Sequence, residues 1–217
     1  MSRRKLRFQI FIVLAPLLLI AATPTDRSME VAAVFIILGS LLRVWANGCV
    51  KKTEELCTWG PYAYVRNPLY LGTILVSIGF AILSMNLVLG ILLVLGLFYA
   101  YRQTIMGEEK DLLRLFPEDY KKYFASVPRL IPRLTPYKSG SHGKFIYKRF
   151  SENWEIKNTL WIILFFICFY FKKAFINEKQ SLNPINITVI CVAVLIIILE
   201  SVSDIFRYRQ KRKNAAK

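Results

Sequence analysis

Apolar residues in this chain are gathered into blocks long enough to cross a bilayer, and charge is confined to the stretches between them. A helix needs about 20 mostly apolar residues to cross the hydrocarbon, and lipid offers no partner to a free backbone N–H or C=O. Six blocks stand out, at residues 8–22, 31–48, 69–84, 87–105, 159–175 and 185–205. Hydrophobic residues make up 55% of the 217 and charged ones 20%, which excludes a soluble globular enzyme, a disordered chain and a secreted disulfide scaffold. The expected fold class is all-α: a polytopic membrane protein of about six transmembrane helices, with a helical-hairpin core and a cytoplasmic amphipathic helix. The first block is short and basic at its front, like a signal peptide, but lacks a clean cleavage site and reads as a retained helix.

The formal net charge is +16, from 30 Lys and Arg against 14 Asp and Glu. The basic clusters (Arg3, Arg4, Lys5, Arg7; Arg207, Arg209, Lys211, Arg212, Lys213) flank apolar blocks, so a bilayer surface and not nucleic acid is the expected partner. Residues 23–30 carry one basic residue, the 85–86 turn none and the 177–184 turn one. Most Lys and Arg lie at the two termini and in segments 49–68 and 106–158, which places those four regions and both termini on the cytoplasmic side. Lys172 and Lys173 disagree locally. No two of the four cysteines have metal-site spacing, and with His142 as the single histidine no metal site is expected.

The short turn at Met85 and Asn86 makes blocks three and four an antiparallel hairpin whose open ends face the same side. Segments 49–68 and 106 onward must therefore meet in space. Asn67 as N-cap and Pro68 at the first helical position read as a helix start, which leaves the positive end of a helix dipole facing any anion that binds there. Tyr101, Thr104 and Glu108 are expected on one helix face, with Arg102 beside Glu109. Pro117 opens a short helix carrying Tyr120 and Tyr123. Pro128, Pro132 and Pro136 hold the next segment extended, so helix and strap form a candidate lid. The expected organisation is two helices over 1–48, a core over 49–137, a polar linker over 138–157, and two helices with a basic tail over 158–217.

In order along the chain, Gly60, Tyr62, Arg66, Asn67, Pro68, Tyr70 and Gly72 are followed by Glu108 and Glu109, then by Phe116, Tyr120, Tyr123, Val127 and Pro128. This succession resembles the isoprenylcysteine carboxyl methyltransferase family, a relative of the membrane phospholipid N-methyltransferases, over about residues 47–132. The resemblance implies S-adenosyl-L-methionine as cofactor, with Asn47, Glu54, Leu56, Cys57, Tyr62, Asn67, Pro68, Leu69, Tyr70 and Glu108 at positions that surround it. Among these, the start of the helix at Asn67 suits the methionine carboxylate, Glu108 an ammonium or ribose hydroxyl, and Tyr62 and Tyr70 the adenine or sulfonium. Arg102, Glu109 and Tyr101 are the catalytic candidates: Arg102 as an imperfect replacement for the family's Arg on the acceptor's carboxylate, and Glu109 or Tyr101 as the base for an amine acceptor. The implied acceptor is a lipid or lipid-modified molecule entering from the bilayer.

Two departures bear on that acceptor. Asn67 stands where the family carries His, and Thr104 where it carries an Arg for the substrate carboxylate. A phospholipid or a small thiol is therefore an alternative acceptor, and a non-catalytic membrane binding or assembly protein on the same scaffold is an alternative of another class. Arg43, one turn before Asn47, reads as a snorkelling residue that can also reach the cofactor carboxylate.

Overall fold

The computed structural model describes residues 13–49, 56–138, 143, 145–146 and 155–198. Every regular element among them is helical: α1 (residues 13–21), α2 (Asp26–Cys49), α3 (Pro68–Ser84), α4 (Leu87–Leu115), α5 (Pro117–Ser126), α6 (Glu155–Phe171) and α7 (Pro184–Ile198), with a 3₁₀ turn at Gly60–Ala63. Three are long and apolar enough to cross a membrane: α2, α4, and α6 with the π-helical turn Lys172–Asn177 that continues it. α3 and α7 are apolar but shorter. The described residues fall into two compact units, Met1–Glu155 and Ile156–Lys217.

In the first unit, α2 starts earlier than its apolar block because Thr25 and Ser28 cap it reciprocally. The Ser28 amide donates to Thr25 Oγ1 at 3.2 Å and the Thr25 amide to Ser28 Oγ at 2.9 Å. α2 and α3 then pack backbone against backbone. A Cβ on Gly72 would stand 2.6 Å from the Gly39 carbonyl oxygen, and one on Gly39 would stand 2.5 Å from that of Gly72. Only glycine permits this approach, which is how apolar helices associate where burial in lipid supplies no driving force.

α3 turns into α4 through Met85, at φ 50°, and Asn86, whose side chain accepts from the Leu89 amide at 3.1 Å. The hairpin is therefore as tight as the spacing requires. α4 runs on beyond the apolar block at Ile105 to Leu115 without a break. Its 29 residues measure about 43 Å at a rise of about 1.5 Å each, against about 30 Å of hydrocarbon. The surplus is the projecting arm that carries Glu108 and Glu109. Phe116 and Pro117 end the arm and start α5, which buries Tyr120 and Tyr123 and exposes its charged residues.

In the second unit, Lys173 is buried and pairs with Glu178 at 2.9 Å, which neutralises a lysine that disagreed with the charge distribution. Asn186, the acceptor of a formal glycosylation sequon, is fully buried and accepts from the Tyr170 hydroxyl at 2.6 Å. The terminal basic clusters and His142 lie outside the described residues.

Candidate active site

The site begins at the Gly60 turn. Gly60 has φ +59°, and a Cβ there would lie 2.8 Å from Cys49 Sγ, so glycine is required twice over. The turn brings Cys57, Tyr62, Cys49 and Ala46 into one buried cluster, with Trp59 and Leu69 packed on it. Asn67 occupies the N-cap position of α3, and its carbonyl accepts from the Leu71 amide at 3.1 Å. Its side chain, however, caps no amide of the helix and instead donates to the Arg129 carbonyl at 3.2 Å. The expected side-chain cap is therefore replaced by a tether to the strap.

That tether is one of several. The Arg66 amide donates to Pro128 O at 2.9 Å, the Arg133 amide to Tyr64 O at 3.0 Å and the Tyr137 amide to Ala63 O at 2.9 Å. The buried Tyr123 hydroxyl donates to Tyr62 O at 2.8 Å. Tyr120, Tyr123 and Val127 make a second buried cluster, joined by Leu56, Leu112, Phe116 and Tyr137. Helix α5 and the strap thus lie along the 62–67 loop as a bound cover, their backbone groups paired where prolines forbid a helix.

The projecting arm of α4 meets this corner through both acids, in different ways. Exposed Glu108 accepts from the Tyr70 hydroxyl at 2.8 Å, and the Tyr70 ring lies 5.1 Å from that of Tyr101. Glu109 is buried. Arg129 Nε and Nη2 donate to its two oxygens at 3.1 and 2.7 Å, and Arg66 Nη1 lies 3.3 Å from Oε1. Phe124 covers the Arg66 guanidinium at 3.9 Å, a cation–π contact. Arg66 Nε and Nη1 and Tyr120 Oη are buried without a hydrogen-bond partner.

Electrostatics follow burial. Desolvation, and then the Glu109 carboxylate, push the Tyr120 phenol up to about 12, against the pull of Arg66 and Arg129. Burial also raises Tyr123 and Tyr62, with Cys57 adding to both. The hydrogen bonds to Glu109 hold the Arg129 guanidinium more firmly charged.

Some expected neighbours are placed elsewhere. Arg102 is exposed whereas Glu109 is buried, so the two do not pair; Glu109 takes Arg66 and Arg129 instead. Thr104 is buried and donates to the Ala100 carbonyl at 3.2 Å. Arg43 does not snorkel. Its Nε and Nη2 donate to the carboxylate of Glu155 at 2.6 and 2.9 Å, and its Nη1 to Thr73 Oγ1. Asn47 donates to the same Glu155 at 2.9 Å and to the Arg43 carbonyl at 3.1 Å. Leu56, Cys57, Tyr62, Pro68 and Leu69 are wholly or partly buried in packing, and the Cys57 thiol lies 3.8 Å from Trp59 O. Glu54 lies outside the described residues. The sequence motif places Arg66 at the start of α3 without indicating its carboxylate partner, and it gives no role to Arg129 or Glu155; a cation set beside Pro128 is the available signal for Arg129.

Residues 28–119 match the phospholipid methyltransferase family. The chain is 26% identical over 137 residues to a nickel-cobalt-cadmium resistance protein of Alcaligenes xylosoxydans xylosoxydans, covering 62% of this chain and 63% of that protein. It is 28% identical over 128 residues to a cobalt-zinc-cadmium resistance protein of Cupriavidus metallidurans, covering 58% of each. It is 38% identical over 81 residues to a protein-S-isoprenylcysteine O-methyltransferase of Schizosaccharomyces pombe, covering 37% of this chain and 34% of that one. The chain thus spans less than two thirds of the length of these relatives. No solved structure matches it. The Gly60–Gly72 motif and the twin acids both fall inside the segment that matches the phospholipid methyltransferase family, so the similarity is carried by the residues that meet at this corner.

Proposed function

We propose that the chain is an integral-membrane methyltransferase that uses S-adenosyl-L-methionine and methylates an apolar or lipid-like acceptor. The observation that carries this reading is the junction of two motifs 38 residues apart, through the Tyr70–Glu108 hydrogen bond, with the Arg66–Glu109 ion pair beside it. The residues at this junction fit the cofactor. Exposed Glu108 offers a carboxylate to an ammonium or ribose hydroxyl, and Tyr70 and Tyr101 offer ring faces to a sulfonium. The first turn of α3, whose N-cap side chain is turned to the strap, presents a helix start to a carboxylate.

The cofactor supplies an electrophilic methyl group on sulfur, and the work left to the protein is alignment and exclusion of water. Glu109, clamped by two guanidinium groups, is a positioning residue and not a base. An amine acceptor must therefore arrive unprotonated or give its proton to Tyr101, whereas a carboxylate or thiolate needs no base. Arg43 and Asn47 hold Glu155, so they are left out of the cofactor set proposed here. In this reading α1, α3 and α7 also cross the bilayer, giving six spans, and the Lys and Arg distribution sets both termini and the site on the cytoplasmic side.

Purified protein titrated with S-adenosylhomocysteine in a calorimeter is expected to bind it, and Glu108→Ala to abolish the binding. Unaltered binding by that variant would overturn the residue assignment. A second reading, a non-catalytic binding or assembly protein, is favoured by one observation: the relatives with the greater coverage are named for metal resistance. Incubation with methyl-labelled cofactor and prenylcysteine, phospholipid and thiol acceptors separates the two. Cofactor binding with no methylated product across that panel would select the second.

A further inference from the structure

Beside the site, between the α4 arm and α5, lies a cleft of about 330 Å³. Met106, Leu113 and Phe124 give it apolar walls, while Lys110, Lys121 and Arg129 set cations around it. Its one carboxylate, Glu109, is already held by Arg129 and Arg66, so the charge left over is positive. Lys121 has a partner in Glu118, but at 3.8 Å, with both side chains well exposed, that pair contributes little. Tyr120 also lines the cleft, and behind the wall its buried Oη and the Arg66 Nε beneath Phe124 have no hydrogen-bond partner.

Depth narrows the ligand. The apolar stretch of α4 ends at Ile105 and the cleft begins at Met106, so with α4 as a span it lies at the level of the lipid headgroups. The strap beside it presents Ile131 and Leu134, 80% and 98% exposed, a composition suited to the interface and not to open water.

We infer that this cleft binds the headgroup of an anionic phospholipid of the surrounding leaflet, separate from the methyl-transfer junction at Tyr70 and Glu108. The phosphate lies among Lys110, Lys121 and Arg129, and the glycerol and upper acyl carbons lie against Met106, Leu113 and Phe124. A lipid seated there touches both the α4 arm and α5, so it holds the cover against the corner. The inference rests on the membrane reading of α4 and is independent of catalysis.

The test uses the full chain in nanodiscs of phosphatidylcholine with increasing phosphatidylglycerol, read by thermal unfolding. Stabilisation is expected to saturate with phosphatidylglycerol, and Lys110→Gln/Lys121→Gln to weaken its apparent affinity about fivefold for each lysine removed. Arg114→Gln/Lys122→Gln removes the same charge from the same two helices outside the cleft and is expected to leave the affinity unchanged. Equal weakening in both pairs would mean general attraction to the surface and would overturn the site. Equal stabilisation by inorganic phosphate in neutral nanodiscs would also overturn it, in favour of a soluble anion. S-adenosylhomocysteine binding measured on the same samples keeps the readings apart. Lipid saturation without it upholds the cleft and sinks only the methyltransferase proposal.

Discussion

Removing the Glu109 carboxylate tests whether the corner, the arm and the cover are one cooperative unit. The side chains of Glu109 and Arg66 are each 8% exposed, whereas that of Arg129 is 38% exposed. At 3.3 Å and an effective dielectric near 20, the Arg66–Glu109 attraction is about 5 kcal/mol before desolvation is subtracted. The net value of the pair is much smaller, but the two truncations are unequal. Glu109→Ala strands a buried guanidinium, which costs about 3–5 kcal/mol. Arg129→Met leaves Glu109 paired with Arg66 and removes a partly solvated cation, which costs about 1–2 kcal/mol. Arg66→Met/Glu109→Ala strands no buried charge, only the partly solvated Arg129, and is expected to cost clearly less than the sum of the single changes. The assay is equilibrium unfolding in mixed dodecylmaltoside and dodecylsulfate micelles, with tryptic cleavage at Arg133 as a local probe. A 3 kcal/mol loss that acts on the cover alone raises the rate of that cleavage about 100-fold. A Glu109→Ala cost below about 1 kcal/mol, or additivity in the cycle, would refute the clamp.

Other outcomes follow from the same geometry. Gly72→Ala places a Cβ against the Gly39 carbonyl and the Arg43 side chain, and is expected to lose about 1–3 kcal/mol; an unchanged melting temperature would mean that the α2–α3 contact is not close. Tyr123→Phe removes a 2.8 Å bond to Tyr62 O and is expected to cost about 1 kcal/mol. Tyr120→Phe, by contrast, removes a hydroxyl with no partner and is expected to stay within about 0.5 kcal/mol at neutral pH in neutral detergent. Because burial raises the folded-state value of Tyr120 to about 12, the native state keeps a proton that the unfolded chain gives up near 10. Its contribution is complete below pH 10 and declines as pH rises toward 12, so wild type should lose more stability than Tyr120→Phe between pH 9 and 11. Parallel losses in that window would contradict the assignment.

The hairpin was legible because two apolar blocks separated by Met85 and Asn86 can only turn back on themselves. The start of α3 was legible from Asn67 and Pro68, since proline fixes φ at the first helical turn. The proline-rich strap could be excluded from helix, though nothing in its residues says that it pairs with the 62–67 loop. Arg102 was drawn toward Glu109 on helical spacing alone. In the fold the two residues take opposite environments, because Glu109 faces the corner and needs a cation from outside its own helix. Asn67 was assigned to its own helix end, yet its amide reaches a carbonyl 62 residues away. Arg43 reads as a snorkelling residue within reach of a cofactor carboxylate and Asn47 as a polar cofactor contact, yet both hold the carboxylate of Glu155.

By itself, then, the sequence determined the helices, their alternation with basic segments and the requirement that two motif-bearing segments share one end of a hairpin. Those follow from local chemistry: apolar run length, proline and glycine geometry, and the cost of charge in lipid. The division of labour between the twin acids was decided only by tertiary structure. Neighbours on one helix point in directions about 100° apart, so packing buried Glu109 between two arginines and left Glu108 beside Tyr70 at the surface.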